Sequence, residues 1–178
     1  RATAWREGGE NASYSREFAF SKSTGRPAVL NTKPNDSYTF EGASLLVDGY
    51  HSRPVFTSGA WLGYLDEPLD VTIDMGGEQS YRSVELETLA EKGDWIFPPS
   101  SVTVWVSDNG TDFTEVASVT VPEAKAGDAD GIGRYRMQFP ETSARYLKVV
   151  AQNAAAIPAW HPGAGSKGFL FVDEIVVE

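Results

Sequence analysis

Residues 101–116, SVTVWVSDNGTDFTEV, constrain the fold most strongly because they encode a β-hairpin without help from distant residues. Val102, Val104 and Val106 alternate with other side chains, as in a strand that buries one face. This segment runs into Asn109-Gly110, and a second alternating segment follows. Asn-Gly accepts the positive φ angles of a type I′ turn, whose twist matches the flanking strands. The segment therefore predicts two antiparallel strands joined by a type I′ turn.

Short alternating segments with turn residues between them recur along the chain. They are residues 70–74, 83–87, 102–106, 135–139, 145–150 and 169–177. No stretch of about ten residues holds the 3.6-residue period of a capped helix, so helix should be scarce. The pattern predicts an all-β fold, an antiparallel β-sandwich or jelly roll with long loops collected at its ends.

The length of 178 residues fits a single core, which we assign to residues 18–178. Residues 1–17 are polar and weakly patterned, and we interpret them as a linker or an extra N-terminal strand. Residues 123–133, rich in Gly, Ala and Asp, are interpreted as a mobile surface loop. Because the chain begins at Arg1 rather than Met, we expect it to be a domain of a longer protein.

Charge and composition exclude several classes of partner. The net charge is −10 and no cluster of Lys and Arg offsets it, so a nucleic acid would be repelled. No apolar run approaches the ~18 residues of a membrane span, and the negative charge disfavours an anionic membrane surface. There is no cysteine, so the fold must hold by packing without disulfides.

The residues that could carry catalysis do not form a known constellation. His51 and His161 have no serine elbow, no H-E-x-x-H spacing and no phosphate-binding glycine loop nearby. Asp173 and Glu174 are consecutive in a strand, which predicts that they point to opposite faces. That arrangement does not suit glycoside hydrolysis by two carboxylates. The sequence therefore predicts a chain that is not an enzyme.

The hairpin and four further segments, in order, resemble discoidin domains, also called coagulation-factor type C domains. The strand ending V-S-D-N-G-x-x-F-T-x-V is similar to their central hairpin, and LLVDG is similar to their A-x-D-G loop. The other similar segments are residues 69–76, 144–149 and 171–177. The set extends from about residue 18 to residue 178, and it implies a discoidin-like, galactose-binding-domain-like sandwich.

A closer resemblance is to bacterial family 32-like carbohydrate-binding modules appended to exo-glycosidases such as β-hexosaminidases. It rests on residues 21–27, 59–64, 93–98 and 160–165. Eukaryotic extracellular discoidin domains usually tie their termini with a disulfide, so the lack of cysteine favours a bacterial module. The resemblance implies a non-catalytic module of a larger glycosidase that is secreted, periplasmic or on the cell surface. Its partners would be glycans with terminal galactose or N-acetylhexosamine, and neighbouring domains of the same polypeptide.

An alternative function is structural. The domain would pack rigidly on a catalytic neighbour, and its loop aromatics would serve that interface without a glycan ligand of their own. The aromatic content of the loops and residues 1–17 suit this interpretation as well.

The resemblance also implies a structural calcium between the A-x-D-G loop and the last strand. By the family pattern, Asp48 and Glu174 would supply carboxylate oxygens. Leu45, Tyr50 and Asp173 would supply backbone carbonyls. Calcium takes six to eight oxygen ligands, and such a loop provides suitable chemistry.

One position departs from that pattern, because Arg53 stands where the family commonly has Thr or Ser. Ser52 or a carbonyl would have to substitute, or the site would be weaker. Without calcium, Asp48 would be an Asx-turn residue before Gly49, and Glu174 a surface strand residue.

Sugars offer apolar C–H faces and many hydroxyls, so their sites pair an aromatic platform with polar groups. Trp160 and His161 lie in a loop rich in Pro and Gly. A Trp in such a loop is either a platform for a ligand or a plug that closes the end of the sandwich. Trp95 and Asp94 belong to the site or to its rim, and Lys167 completes the candidate set.

Trp61 is a weaker candidate for sugar binding, and His161 has an alternative structural role. Trp61 lies near the place where the family keeps a structural Trp, so we assign it to packing. His161 beside Pro162 is interpreted either as a ligand contact or as a structural histidine with local hydrogen bonds.

Overall fold

The computed structural model describes residues 2–4, 12–14, 18 and 20–178. Its strands are β1 (Ala2–Ala4), β2 (Ala12–Tyr14), β3 (Ala28–Leu30), β4 (Leu62–Tyr64), β5 (Leu69–Ala90), β6 (Ser101–Ser107), β7 (Thr114–Thr120), β8 (Gly131–Gln152) and β9 (Leu170–Val177). Short 3-10 helices span Asp36–Tyr38, Gly42–Val47, Phe56–Ser58 and Lys92–Asp94. The described residues contain no α-helix, in agreement with the predicted scarcity of helix.

The strands form an antiparallel sheet in the order β4-β9-β5-β8-β6-β7, with β3 added to β5. The sheet folds over into two layers because β5 and β8 each run through both. Residues 69–74 of β5 pair with β3 and with the end of β8, whereas residues 83–90 pair with β9 and with the start of β8. This architecture confirms the predicted antiparallel β-sandwich.

The core lies between the layers and follows the predicted alternation. Val102, Val104 and Val106 of β6 face inward, and they share one apolar cluster with Leu86 of β5 and Val172 of β9. Members from both layers meet in this cluster, so burial of their apolar surface is what holds the layers together.

The sequence divides two strands that the structure joins. Residues 70–74 and 83–87 belong to the single 22-residue strand β5, and residues 135–139 and 145–150 both belong to β8. Irregularities in the β5–β8 ladder fall between Asp74 and Gln79, where Gly76 has a φ of 79°. A bulge with a glycine lets a strand bend without ending, so turn residues here mark a corner and not a chain reversal.

The predicted hairpin is present as β6 and β7, but its turn is not type I′. Only Gly110 has a positive φ, whereas type I′ needs one at Asn109 as well. The Asn109 side chain instead accepts hydrogen bonds from the backbone N–H groups of Thr111 and Asp112, both at 2.9 Å. An Asx-type loop therefore replaces the tight turn.

Residues 35–61 contain no strand and cover the outer face of β9 and β4, so we call them the covering segment. Tyr38 and Phe56 pack edge-on against Phe171, with ring centroids 4.7 and 5.7 Å away. Trp61 is fully buried, and its Nε1 donates a hydrogen bond to the Arg53 carbonyl at 3.0 Å. The prediction that Trp61 serves packing is therefore confirmed.

Within residues 1–17, β1 and β2 pair with each other in a separate two-stranded sheet. The prediction of a linker or extra strand also concerns residues 1, 5–11 and 15–17, which lie outside the described residues. No helix in the described part of the chain is long and apolar enough to cross a membrane.

Replacing Gly63 by Ala should destabilise the fold by about 1–3 kcal/mol. A Cβ atom there would lie 2.9 Å from the Phe171 ring and from the Tyr38 Cβ, beneath the covering segment. Urea unfolding followed by tryptophan fluorescence measures the change. Gly77→Ala is the control, since a Cβ at Gly77 meets no atom within 4 Å. Equal unfolding midpoints for the two variants would contradict the tight packing of this segment.

Candidate functional site

All five residues predicted to bind sugar lie among three loops that meet at one end of the sandwich. They follow β5, β7 and β8, whose ends adjoin because Ala90 pairs with Gly131 and Ser101 pairs with both Thr120 and Gln152. Loop residues 91–100 are held further by a bridge between residues 91 and 96 and by another between residues 96 and 169. The ladder of the sandwich thus fixes the base of each loop.

His161 is the centre of an aromatic cluster in these loops. Three rings approach its imidazole nearly edge to face, those of Trp160 at 5.5 Å, Phe97 at 5.5 Å and Trp95 at 6.2 Å between centroids. We call Trp95, Phe97, Trp160 and His161 the loop aromatic cluster. Phe97 is buried, whereas Trp160 is 39% exposed and Trp95 42% exposed. The two indole rings are therefore partly exposed to solvent, and both pack against the buried imidazole of His161.

Both nitrogens of His161 are engaged within the protein. The backbone N–H of Gly163 donates to Nδ1 at 3.0 Å, so Nε2 carries the proton and donates to the Lys92 carbonyl at 3.0 Å. The side chain is 9% exposed. In this arrangement His161 positions the two indoles and has no nitrogen left for a sugar hydroxyl.

Trp160 combines the two roles between which the sequence left a choice. Its Nε1 donates a hydrogen bond to the Ala124 carbonyl at 2.9 Å, which ties the loop after β8 to the loop after β7. Its exposed surface is available for stacking on an apolar face. The indole is thus a tie between loops and a candidate platform.

Trp95 has a φ of 65°, a backbone conformation that residues other than glycine rarely adopt. Its carbonyl accepts a hydrogen bond from the Phe169 N–H at 2.8 Å. A Cβ at Gly163 would lie 2.8 Å from the Trp95 ring, so only glycine fits beneath it. These contacts fix the Trp95 indole beside His161.

Asp94 and Lys167 are exposed and take other partners. Lys167 forms an ion pair with Asp66 at 2.6 Å, across the loop that precedes β5. Asp94 ends a 3-10 helix beside Glu91. Partial burial and the nearby Asp94 carboxylate raise the pKa of the Glu91 carboxyl. The structure thus places Asp94 next to the loop aromatic cluster and pairs Lys167 with another loop.

The loop predicted as mobile, residues 123–133, is fastened to the cluster. The buried Lys92 ammonium donates to the Asp128 carbonyl at 2.8 Å and forms an ion pair with Asp130. The hydrogen bond from Lys92 holds the pKa of Asp130 below its usual value. Together with the bond between Trp160 and Ala124, these contacts make the loop a wall of the site.

Three residues predicted as calcium ligands, Asp48, Asp173 and Glu174, lie close together at a second place, where the segment before β4 crosses β9. The Glu174 carboxylate accepts the N–H of Gly49 at 3.1 Å, and the Asp173 carboxylate accepts the N–H of Ser52 at 2.7 Å. The two side chains are 0% and 1% exposed. Asp48 accepts the N–H of Tyr50 at 2.7 Å, which is the local bond of an Asx turn.

The prediction that Asp173 and Glu174 point to opposite faces is wrong. The register of β9 on β5 changes between Val172 and Ile175, because β5 offers only Glu87 opposite the two acidic residues. Such a bulge breaks the alternation of a strand. Val172 and Ile175 both face the core, and the two carboxylates both reach the covering segment.

Burial raises the pKa of the Asp173 carboxyl to about 8 and that of Glu174 to about 9. Hydrogen bonds from Ser52 and Gly49 counteract the shift, and the neighbouring Glu87 carboxylate adds to it. One oxygen of Glu174, Oε1, has no hydrogen-bond partner. The carboxylates therefore lie in an environment that disfavours their negative charge.

Sequence reasoning missed the third buried acid of this region. Glu87 is 1% exposed, and its Oε2 contacts His51 Nδ1 at 3.0 Å and Arg134 Nε at 2.8 Å. Its Oε1 has no partner. Glu85 and Glu87 alternate with apolar residues as in any amphipathic strand, so the sequence carried no sign that the segment 35–61 would cover one of them.

A family model of the F5/8 type C domain matches residues 30–167. The chain is a member of the F5/8 type C domain family. This is the discoidin family that the hairpin and the ordered segments indicate. A comparison with curated proteins gives no match.

Three of the solved structures similar to this F5/8 type C domain are modules from bacteria. Chitosan-binding module 1 of a chitosanase/glucanase from Paenibacillus sp. IK-5 is 17% identical, with a TM-score of 0.55, over 89% of this chain and 98% of that one. CpGH89CBM32-5 from Clostridium perfringens, in complex with GalNAc-β-1,3-galactose, is 16% identical, with a TM-score of 0.55, over 85% and 93%. A Streptococcus pneumoniae fucose binding module is 21% identical, with a TM-score of 0.54, over 89% and 94%. At these identities the likeness establishes the fold.

The buried acids of this domain should make its stability depend on pH in the absence of divalent cations. In an unfolded chain these carboxyls ionise near pH 4, whereas folding keeps them protonated up to about pH 8 and 9. The folded state then binds more protons, so stability should fall as pH rises from about 5 to 9. Melting temperatures in chelator-treated buffer measure the slope.

Glu174→Gln removes one of the two titrating carboxyls but keeps an acceptor for the Gly49 N–H. The melting temperature of this variant should therefore fall less steeply with pH. Glu115→Gln, at an exposed position of β7, is the control and should leave the slope unchanged. A wild-type melting temperature that is constant or rises over this pH range would contradict the burial of these charges.

Proposed function

We propose that this F5/8 type C domain is a non-catalytic carbohydrate-binding module of a larger secreted bacterial glycosidase. It binds terminal sugars such as galactose or N-acetylhexosamine. The observation that carries the proposal is the loop aromatic cluster, in which the half-exposed indoles of Trp95 and Trp160 rest on the same buried imidazole of His161.

The cluster has the properties that a sugar platform needs. An indole face stacks on the C–H face of a pyranose ring, and such contacts contribute about 1 kcal/mol beyond the burial of area. Because His161 and Gly163 hold the rings, little side-chain freedom is lost on binding. The exposed carboxylates of Asp94 and Glu123, in the adjoining loops, are acceptors for sugar hydroxyls.

The similar solved structures support the same class of ligand. They are a chitosan-binding module, a module in complex with GalNAc-β-1,3-galactose and a fucose binding module. The net charge of −10 favours neutral or cationic glycans over anionic ones. Such modules gain from tethering, because attachment to an enzyme raises the effective concentration of a weakly bound glycan.

A structural function is the second candidate, and a specific observation favours it. Phe20 is 83% exposed and Phe18 47% exposed, and both lie just after residues 1–17. Phe18 contacts the Tyr50 ring at 5.9 Å. Two exposed aromatic side chains at this position suit contact with a neighbouring domain of the same polypeptide, which would cover Phe18 and Phe20.

We also propose that calcium binds between Asp48 and Glu174, and the residues fit such an ion. Glu174 Oε1 is buried without a partner, and a cation would relieve the burial of its charge. No group of three or more acidic, His or Cys side chains in the described residues is placed to hold a metal, so most ligands would be the carbonyls of Leu45, Tyr50 and Asp173. The Arg53 carbonyl already accepts a hydrogen bond from Trp61 Nε1.

Replacing Trp160 by Ala should weaken glycan binding at least tenfold, or about 1.4 kcal/mol, because a stacking surface is lost. Calorimetry or a glycan array with galactose, GalNAc-β-1,3-galactose, fucose and chitotriose measures the change. Trp160→Phe keeps a ring and removes the hydrogen bond to Ala124, so it should retain most of the affinity. The same preparations should leave chromogenic glycosides uncleaved.

Phe20→Ala is the matched control, since it removes an exposed aromatic ring outside the loop aromatic cluster and should leave glycan affinity unchanged. The proposed function fails if no glycan binds, or if Trp160→Ala binds as tightly as the wild type. Turnover of a glycoside that disappears when one acidic residue of this chain is replaced would show an enzyme instead.

Calcium should raise the melting temperature and oppose the fall of stability above pH 5, because it binds the ionised carboxylates of the native state alone. Scanning fluorimetry with calcium, magnesium or excess chelator measures both effects. Glu174→Gln should reduce the response, and Glu115→Gln should retain it. Superimposed melting curves with calcium and with chelator would show that the wild-type protein has no such site.

A further inference from the structure

A cleft of about 400 Å³ opens beside Trp160. Its walls are residues 97–100, 120–124 and 154–159, and we call it the alanine–proline cleft. The volume lies within the range of small-molecule sites, about 300–1,000 Å³. None of the residues predicted from sequence to bind sugar lines it.

The walls of the alanine–proline cleft are mostly small and apolar. Twelve of the fifteen lining residues are Ala, Pro, Val, Ile or Phe. Three polar side chains accompany them, those of Ser100, Thr120 and Glu123. A mostly apolar wall with a few polar groups is the composition of a site that takes an apolar group and orients it by hydrogen bonds.

Backbone hydrogen bonds hold each of the three walls in place. The N–H of Ser100 donates to the Gln152 carbonyl at 2.8 Å, and the N–H of Val121 donates to the Ser100 carbonyl at 2.9 Å. The N–H of Ile157 donates to the Ser166 carbonyl at 2.8 Å. The cleft is thus formed before any ligand arrives, so binding would order few groups.

The alanine–proline cleft is continuous with the loop aromatic cluster. Trp160 follows Ala159 of one wall directly, and its Nε1 donates to the Ala124 carbonyl of another. The ring of Phe97, which lines the cleft, lies 6.4 Å from the Trp160 ring. A substituent of a sugar that stacks on Trp160 would therefore meet this cleft.

We propose that the alanine–proline cleft binds the acetamido group of an N-acetylhexosamine whose ring stacks on Trp160. The proposal rests on the proposed function and narrows its ligand class. An acetamido group has a methyl group, which suits walls of Ala and Pro, and one amide N–H and one carbonyl. It is uncharged, so the carboxylate of Glu123 does not repel it.

The polar side chains of the cleft match the amide. The Ser100 hydroxyl donates its own proton to the Asn153 carbonyl at 2.8 Å, so its oxygen is left as an acceptor for an amide N–H. The Thr120 hydroxyl supplies a donor for the amide carbonyl. A parent hexose has a hydroxyl at this position and would leave the apolar walls unfilled, which should cost at least tenfold in affinity.

Alanine methyl groups report on the cleft directly. We would label the alanine methyls and the tryptophan indole N–H groups of the whole chain and titrate it with N-acetylgalactosamine, N-acetylglucosamine, galactose, glucose and glucosamine. The acetylated sugars should shift the methyl signals of Ala154, Ala155 and Ala156 together with the Trp160 indole signal. The Ala28 methyl, in β3, should not move.

Two matched variants test the volume of the cleft. Ala156→Phe fills it and should reduce affinity for the acetylated sugars at least tenfold, which removes their advantage over the parent hexoses. Glu115→Phe places the same side chain at an exposed position of β7, outside the lining and outside the loops of the site, and should change nothing. Thr120→Val keeps the shape, removes the donor and should lower the preference for acetylated sugars.

The outcomes separate the two proposals. If sugars shift the Trp160 indole signal equally with and without the acetamido group, and the cleft methyls stay in place, the inference is overturned and the proposed function stands. If no sugar shifts either set of signals, both are overturned. Shifts of the cleft methyls that survive Ala156→Phe also overturn the inference.

Discussion

The pairing of β5 with β8 holds the domain together, because both strands run through both layers of the sandwich. Their ladder fixes how the layers stack, and the ends of β5 and β8 fix where three loops emerge. Burial of the valines of β6 and the inward residues of β9 supplies the apolar surface that keeps the layers closed. The loop aromatic cluster depends on this ladder, since the ends of its strands set where the loops of the cluster begin.

Hydrogen bonds and ion pairs of buried polar groups hold these loops in place. His161 uses both ring nitrogens to join Lys92 and Gly163, and the Lys92 ammonium reaches Asp128 and Asp130. A buried polar group that lost such a partner would destabilise the fold by about 1–3 kcal/mol, so these contacts favour a single arrangement. Two large indoles can consequently remain half-exposed without collapsing onto the core.

The acidic residues of β9 face a different constraint. Asp173, Glu174 and Glu87 are buried close together in a chain whose net charge is already −10. Hydrogen bonds from Gly49 and Ser52 stabilise the carboxylates but leave Glu174 Oε1 unpaired. Protons or a cation must compensate the remaining charge, so this region couples the stability of the domain to its solution conditions.

The sequence by itself determined the all-β class, the inward side of β6, the hairpin and the family, because these depend on local alternation and on ordered motifs. It also placed Trp61 in the packing and the half-exposed Trp95 and Trp160 in loops.

Only the tertiary structure decided which residues meet across those loops. It joined predicted strands into β5 and β8 through bulges, turned Asp173 and Glu174 to the same side, and buried Glu87. It also paired Lys167 with Asp66 and engaged both nitrogens of His161. Bulges and long-range contacts depend on partners distant in the chain, and a local pattern carries no record of those partners.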